Sequence, residues 1–350
     1  MPKKVERVGP FTASRNGAYG GAERPVPAWR VPEPEVDEED GPAWAGLAGA
    51  LRPWESGPPR PPPAAMPYTN EQLILFYYPN TIGSRKMLLV LYTRGISFMP
   101  RIMDVQHGEQ MEPWFLDMSP LGELPVLKHG DSVFTDVDQM MLYIDQIFPS
   151  TDPVGKLFPD KGTDLGNSVE SLVKELGKIN IPLIVYGTLF HPEMAVSSSM
   201  TDEEQKKKAA LVKQGKAQII ELMERNPDYV NSYVEKQRAY EAFLGLAQSE
   251  SAVNKELEEV EKVMDSMEEL INSRKISGST TPDATQTWLF SIYVSAADVH
   301  LMVLLHAVYK AGLWDRYFEK TQKKHKNLMR YFKRMKHDPL ISKALPGLIK

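Results

Sequence analysis

The chain has 350 residues, 42% of them hydrophobic, and a formal charge of -5 at pH 7. That is enough apolar sequence for a sizeable core in about two domains plus a tail, and the net acidity does not suggest a nucleic-acid binder as a whole, because phosphate binding needs a concentrated basic face. There is no cysteine, which removes disulfides, thiolate metal sites and any Cys nucleophile at once. No run of about eighteen apolar residues marks a transmembrane helix, and no apolar signal-peptide core opens the chain.

Residues 1–68 hold about half of the 28 prolines, with a cluster from Pro58 to Pro63 and an acidic block from Glu33 to Asp40. Such a segment buries too little apolar surface to offset the cost of ordering, so a disordered tail is expected. Its first thirty residues are richer in Lys and Arg than in acid, as in a mitochondrial transit peptide, but the Gly and Pro among them favour a solvated tail.

Residues 69–149 read as a mixed α/β unit. The run Leu73 to Tyr78 is short and rich in β-formers, which predicts a buried strand. A helix comes next, with Ser84 as its N-cap, Met87, Val90 and Leu91 on one face, and Gly95 as its left-handed stop. Ser97 to Val105 predicts a second strand. Pro125 to Lys128 and Ser132 to Thr135 predict a hairpin turning at His129-Gly130-Asp131, and Met140 to Phe148 a helix.

Residues 150–338 read as all-helical, after a polar linker with Pro149, Pro153 and Pro159. Apolar residues recur at helical spacing from Leu165 to Phe190, with a kink expected at Ile181-Pro182 because proline forfeits a backbone bond; this helix should pack on the first unit. Residues 201–275 are highly charged and read as a helical-hairpin insertion hinged around Gly245 to Ser251. In it Val253, Leu257, Val260, Met264, Met267 and Ile271 form an a/d seam with Glu-rich flanks, read as an interaction surface for protein partners, with a solvated helical extension packed only on itself as the alternative. Ser295 and Asp298 form a capping box at the start of a core helix. Lys320 to His337 is a basic helix with Leu328, Tyr331, Phe332 and Met335 on one side. Its cations from Lys320 to Lys336 offer either a solvated face or attraction to an anionic membrane surface. Residues 339–350 form a short C-terminal tail. The seven histidines are scattered, and His300 and His306 lack the spacing of a helical metal pair, so no metal site is expected.

The stretches Glu112-Pro113-Trp114-Phe115-Leu116 and Ser119-Pro120-Leu121-Gly122-Glu123-Leu124-Pro125-Val126-Leu127, in a β-α-β-(α)-β-β-α order, resemble the thioredoxin-like N-terminal domain of glutathione transferases. More narrowly, Glu112 to Phe115, Gly122 to Leu127, Asp138-Gln139 with Tyr143, His191-Pro192-Glu193, Asn226-Pro227-Asp228, Lys236-Gln237 and Ala297-Asp298-Val299 resemble the ganglioside-induced differentiation-associated protein family, the insertion included. The resemblance implies a glutathione-transferase fold: α+β, a thioredoxin-like domain followed by an all-α domain, with Pro125 cis. It also implies a protein of the mitochondrial outer membrane, facing the cytosol, that promotes mitochondrial fission. The family's C-terminal anchor is not seen before Lys350, so a cytoplasmic protein is the other expectation.

Glutathione is the ligand that the resemblance implies. Its thiol is activated in this fold by a hydroxyl that favours the thiolate, and counting back from Lys86 places Thr81 there, with Tyr78 as the competing donor. Leu124 and Pro125 supply the backbone edge for the tripeptide, and Asp136 the acid for its γ-glutamyl amine. Val137 replaces the serine expected beside that acid, and Glu123 stands where many transferases carry Lys. A carboxylate within about 4 Å of the ligand's own carboxylate costs roughly 1 kcal/mol in water and more when shielded. A weakly catalytic or non-catalytic regulator of mitochondrial network dynamics is therefore expected. An active transferase for hydrophobic electrophiles and a soluble transferase-fold docking module are the alternatives. A homodimer is left open, because the insertion competes for the usual subunit contact.

Overall fold

The computed structural model describes residues 72–152, 155–195, 219–276, 288–319 and 325–348. The N-terminal tail, the first part of the insertion (201–218), Pro153 of the linker and the lysines from Lys320 to Lys324 lie outside the described residues.

A four-stranded sheet carries the first unit, in the order β2-β1-β3-β4. Strand β1 is Leu73–Tyr77, β2 Met99–Ile102, β3 Val126–His129 and β4 Ser132–Phe134. Strands β1 and β2 pair in parallel, with Leu75 opposite Pro100, and β3, which shares the middle of the sheet with β1, runs antiparallel to both β1 and β4. All of β1 is buried, as its unbroken apolar sequence requires of a strand covered on both faces. Its period of two sends Leu73, Leu75 and Tyr77 into the main core and Ile74 and Phe76 into a second cluster with Met103, Phe115 and Val126.

Helix α1 (Ile82–Thr93) is capped by Thr81 rather than by Ser84. Ser84 lies inside the helix, and its backbone N–H is the donor that the Thr81 hydroxyl receives, at 3.2 Å. Gly95, with φ of 63°, ends the helix as expected. The short α2 (Pro113–Leu116) leads to the Leu124-Pro125 peptide, which is cis. Helix α3 (Val137–Ile147) begins three residues before its expected start, because Asp136 caps it by accepting from the Gln139 N–H at 2.8 Å. The end of α1 is tied to the segment beyond α3: Arg94 donates to Phe148 O at 2.9 Å and meets Asp145 at 3.0 Å, and Asp145 accepts from the N–H groups of Leu157 and Phe158.

The expected kink is a break between two helices, α4 (Asp164–Leu176) and α5 (Ile181–Phe190). Asn180 caps α5 by accepting from Leu183 N, and Pro182 sits in its first turn, where a missing N–H costs no intrahelical bond. Nearly every side chain of α5 is apolar, and the helix packs on the insertion and on the later core helix that starts at Ala296. The described insertion consists of helical residues 219–225, α6 (Val230–Gln248) and α7 (Glu250–Ile276), with the break at Ser249. Both α6 and α7 pack on α5.

Helix α8 (Ala296–Lys310) is buried along every residue from Ala296 to Val308. The expected capping box is formed in full, and the buried Asp298 carboxylate also accepts from Leu289 N at 2.7 Å and the Tyr331 hydroxyl at 2.8 Å. Helix α9 (Lys326–His337) docks by Leu328, Tyr331, Phe332 and Met335, leaving Lys326, Arg330 and Lys333 exposed. Its first N–H groups, on Asn327 and Leu328, are received by Glu268 of α7. The last helix, α10 (Pro339–Ala344), packs on α1 and α9.

The a/d seam of α7 is not an exposed interaction surface. Val253, Leu257, Val260, Met264 and Met267 are fully buried in the main core, with Ile271 packed at its margin. The spacing of four and three residues marks the right face, but its partners are α5 and α9 of the same chain. Gly187 makes the approach of α5 to α7 close: a Cβ there would stand 2.5 Å from Val253 Cγ2.

Candidate functional site

The N-terminal turns of α1 and α3, the segment before cis-Pro125 and the first half of α5 enclose a cavity of about 390 Å³. Its walls include Thr81, Gly83, Lys86, Glu123, Leu124, Asp136, Val137, Asp138 and Tyr186. Gly83 is what lets these parts meet, since a Cβ there would stand 2.7 Å from Pro125 Cδ and 2.9 Å from Val137 Cγ2. The chain thus brings Thr81, Leu124, Asp136 and Val137 to one place, with Pro125 directly behind Gly83. Tyr78 is not among the lining residues. It packs against the second cluster, and its backbone N–H donates to Ser84 Oγ at 3.3 Å.

The Thr81 hydroxyl is committed to the protein. It accepts from Ser84 N, and its single proton has two acceptors, Ser84 Oγ at 2.6 Å and Tyr78 O at 3.2 Å. A hydroxyl that is to stabilise a thiolate must point its proton at sulfur, and here that would take the proton from Ser84 Oγ and Tyr78 O.

Lys86 is the one lysine or arginine among the lining residues. Its Nζ lies 3.1 Å from His300 Nδ1, and His300 Nε2 lies 3.3 Å from Asp138 Oδ1. One tautomer satisfies both contacts: Lys86 donates to Nδ1 while Nε2–H donates to Asp138. Burial pulls the Lys86 ammonium below its ordinary value, opposed by Asp138 and Asp136. Burial likewise lowers His300, and the His300 hydrogen bond followed by Lys86 holds Asp138 below the usual carboxylate range. The cavity therefore carries three lining carboxylates, Glu123, Asp136 and Asp138, against a cation already engaged by His300.

Glu123 has a partner behind the wall. Lys236 of α6 is only 3% exposed, and burial pulls its ammonium down to about 8 while Glu123 opposes that fall. Helix α6 is held over this region by Tyr233, whose hydroxyl donates to Met111 O at 2.9 Å, and by Tyr229, which donates to Asp117 Oδ1 at 2.7 Å. Among the described residues no cluster of three His, Asp or Glu is arranged to hold a metal ion, and no helix there is long and apolar enough to cross a membrane.

Comparison with known proteins agrees with this geometry. The glutathione S-transferase N-terminal domain family matches residues 75–152. Among solved structures, Ure2p in complex with glutathione superposes with a TM-score of 0.53 at 17% identity, covering 80% of this chain and 95% of that one. The β-etherase LigF from Sphingobium sp. gives a TM-score of 0.52 at 19% identity, over 78% of this chain and 98% of the other. The fold is that of a glutathione transferase. Over a longer stretch, the human ganglioside-induced differentiation-associated protein 1-like 1 is 25% identical across 313 residues, covering 85% of this chain and 83% of that protein. The resemblance read from the motifs is therefore borne out, and its span takes in the insertion.

Within the transferase fold, sequence reasoning placed Thr81, Glu123, Leu124, Asp136 and Val137 at the site and missed several others. Lys86 served only as a counting mark, although a lysine in the first turns of a helix beside a ligand loop is itself a signal. Asp138 was visible only as part of a family motif. His300 and Lys236 come from helices more than a hundred residues further on, and no local pattern points either of them at Lys86 or Glu123. Tyr186 was hidden inside an unbroken apolar helix.

Proposed function

We propose that this protein is a glutathione-transferase-like regulator of mitochondrial network shape, on the cytosolic side of the outer membrane, whose cavity holds a thiol peptide weakly and does little or no conjugation chemistry. The observation that carries the low catalytic power is the commitment of the Thr81 proton to Ser84 and Tyr78. The exposed Glu123 carboxylate in the lining, and a Lys86 that shares its N–H donors with His300, account for weak glutathione binding. Each charged hydrogen bond that the ligand loses removes about 1.5–3 kcal/mol, so that two such losses together take a micromolar ligand to about the millimolar range. The cellular role rests on the resemblance to the ganglioside-induced differentiation-associated proteins.

Partners would meet the outward charged faces of α6 and α7, since the α7 seam is consumed by the core. Deleting the insertion would expose that core, so surface charge reversal is the cleaner test. In cells lacking the protein, the full chain should restore mitochondrial fragmentation, and a Glu258→Lys, Glu269→Lys double variant that folds normally should not. A diffuse cytosolic distribution with no effect on network length overturns the reading and favours a soluble docking module.

A further inference from the structure

The lining charges come from two parts of the wall, the helix starts of α1 and α3 and the segment before cis-Pro125. At the start of α3 the Asp136 carboxylate lies beside the backbone N–H groups of Val137 and Asp138, which as first-turn donors have no intrahelical acceptor. Lys86 belongs to this group, since its Nζ lies 3.1 Å from His300 Nδ1 and the other nitrogen of that ring lies 3.3 Å from Asp138 Oδ1. Glu123 forms the other group ahead of cis-Pro125 and acts instead on Lys236. The first group offers both signs of charge: Asp136 receives an ammonium, while the helix start and Lys86 receive a carboxylate. Together they suit a zwitterionic amino-acid head. Glu123 offers only an exposed carboxylate, and the charge that offsets it, Lys236, lies behind the wall rather than in the cavity.

Glutathione has such a zwitterionic head, but its remaining charged group is a second carboxylate. With the head on α3, that carboxylate is left to the side of the cavity that Glu123 makes negative. We infer that the cavity selects a γ-glutamyl thiol peptide whose C-terminal carboxylate is neutralised or replaced by an amine, as in an amide or an amine conjugate, over free glutathione. This inference rests on the reading of the cavity as a thiol-peptide site. Glu123 is then a specificity-determining residue, and Lys236 sets how strongly it discriminates.

The test is calorimetric titration of the full chain at neutral pH with glutathione and with its glycine carboxamide, which differ by one charge and hardly in size. The carboxamide should bind about tenfold more tightly, the effect of one like-charge contact near a protein surface. Glu123→Gln should bring the two ligands to within about twofold of each other, while Lys236→Met, which removes the offsetting charge, should widen the gap. Saturation by both ligands with glutathione equal or tighter overturns the inference alone. Saturation by neither overturns the thiol-peptide reading and the inference with it. A preference that survives Glu123→Gln unchanged overturns the assignment to Glu123.

Discussion

The seam of α7 and the wall of the cavity are both built from residues that a sequence reader would choose as functional, and they end in opposite conditions. Along α7, Val253, Leu257, Val260, Met264 and Met267 are sealed between α5 and α9. Around the cavity, charged side chains at Glu123, Asp136 and Asp138 stay exposed to solvent while Lys86 and His300 are drawn inward. A periodic apolar stripe says which face of a helix is covered and nothing about what covers it. An unbalanced group of charges held open to solvent has no packing role, and that is where chemistry or recognition is to be sought.

The contrast is broken most severely from the α7 side. Leu257→Ala should destabilise the chain by about 2–5 kcal/mol, the cost of a cavity in a well-packed core, read as a lower urea midpoint. A midpoint unchanged by that substitution would return the seam to the surface. Gly187→Ala places a Cβ against Val253 and should cost about 1–3 kcal/mol by forcing α5 and α7 apart. Restoring the midpoint with Val253→Ala in the same chain would confirm the contact.

Lys236 joins the two regions, since it belongs to the insertion and acts on the cavity. Its folded value, about 8, lies below its ordinary 10.5, so the unfolded chain binds the extra proton between these limits. Stability from this group is lost as pH falls from 10.5 to 8 and stays lost below. Replacing a buried cation by an apolar side chain of similar length removes that cost. Lys236→Met should therefore raise stability by about 1–3 kcal/mol at neutral pH, with the gain fading above pH 10. A gain that is the same at pH 7 and pH 11 would contradict the assignment.

The parts of the molecule that were legible in the chain are those fixed by neighbours in sequence. The strand at Leu73, the turn at Gly130, the stop at Gly95, the Ser295-Asp298 box and the apolar side of α9 all follow from spacing and cap chemistry within a few residues. Small errors came from competition between local signals: Thr81 rather than Ser84 caps α1, and Pro182 opens a helix rather than bending one. The larger error, the open α7 seam, came from long-range packing. Thr81 shows the limit most clearly. Its position in the cavity followed from counting back from Lys86, whereas the commitment of its proton depends on where Ser84 Oγ and Tyr78 O lie in space.

That commitment is the central claim, and steady-state conjugation of glutathione to a chromogenic aryl halide tests it most directly. The assay compares the full chain with Thr81→Val, at glutathione concentrations reaching several millimolar, as a weak site requires. The account predicts a rate indistinguishable from the protein-free reaction for both chains, with Thr81→Val lowering only thermal stability, by about 1 kcal/mol for the lost cap. Turnover that scales with protein concentration and disappears in Thr81→Val would contradict it, and would make Thr81 the activating hydroxyl of a working transferase.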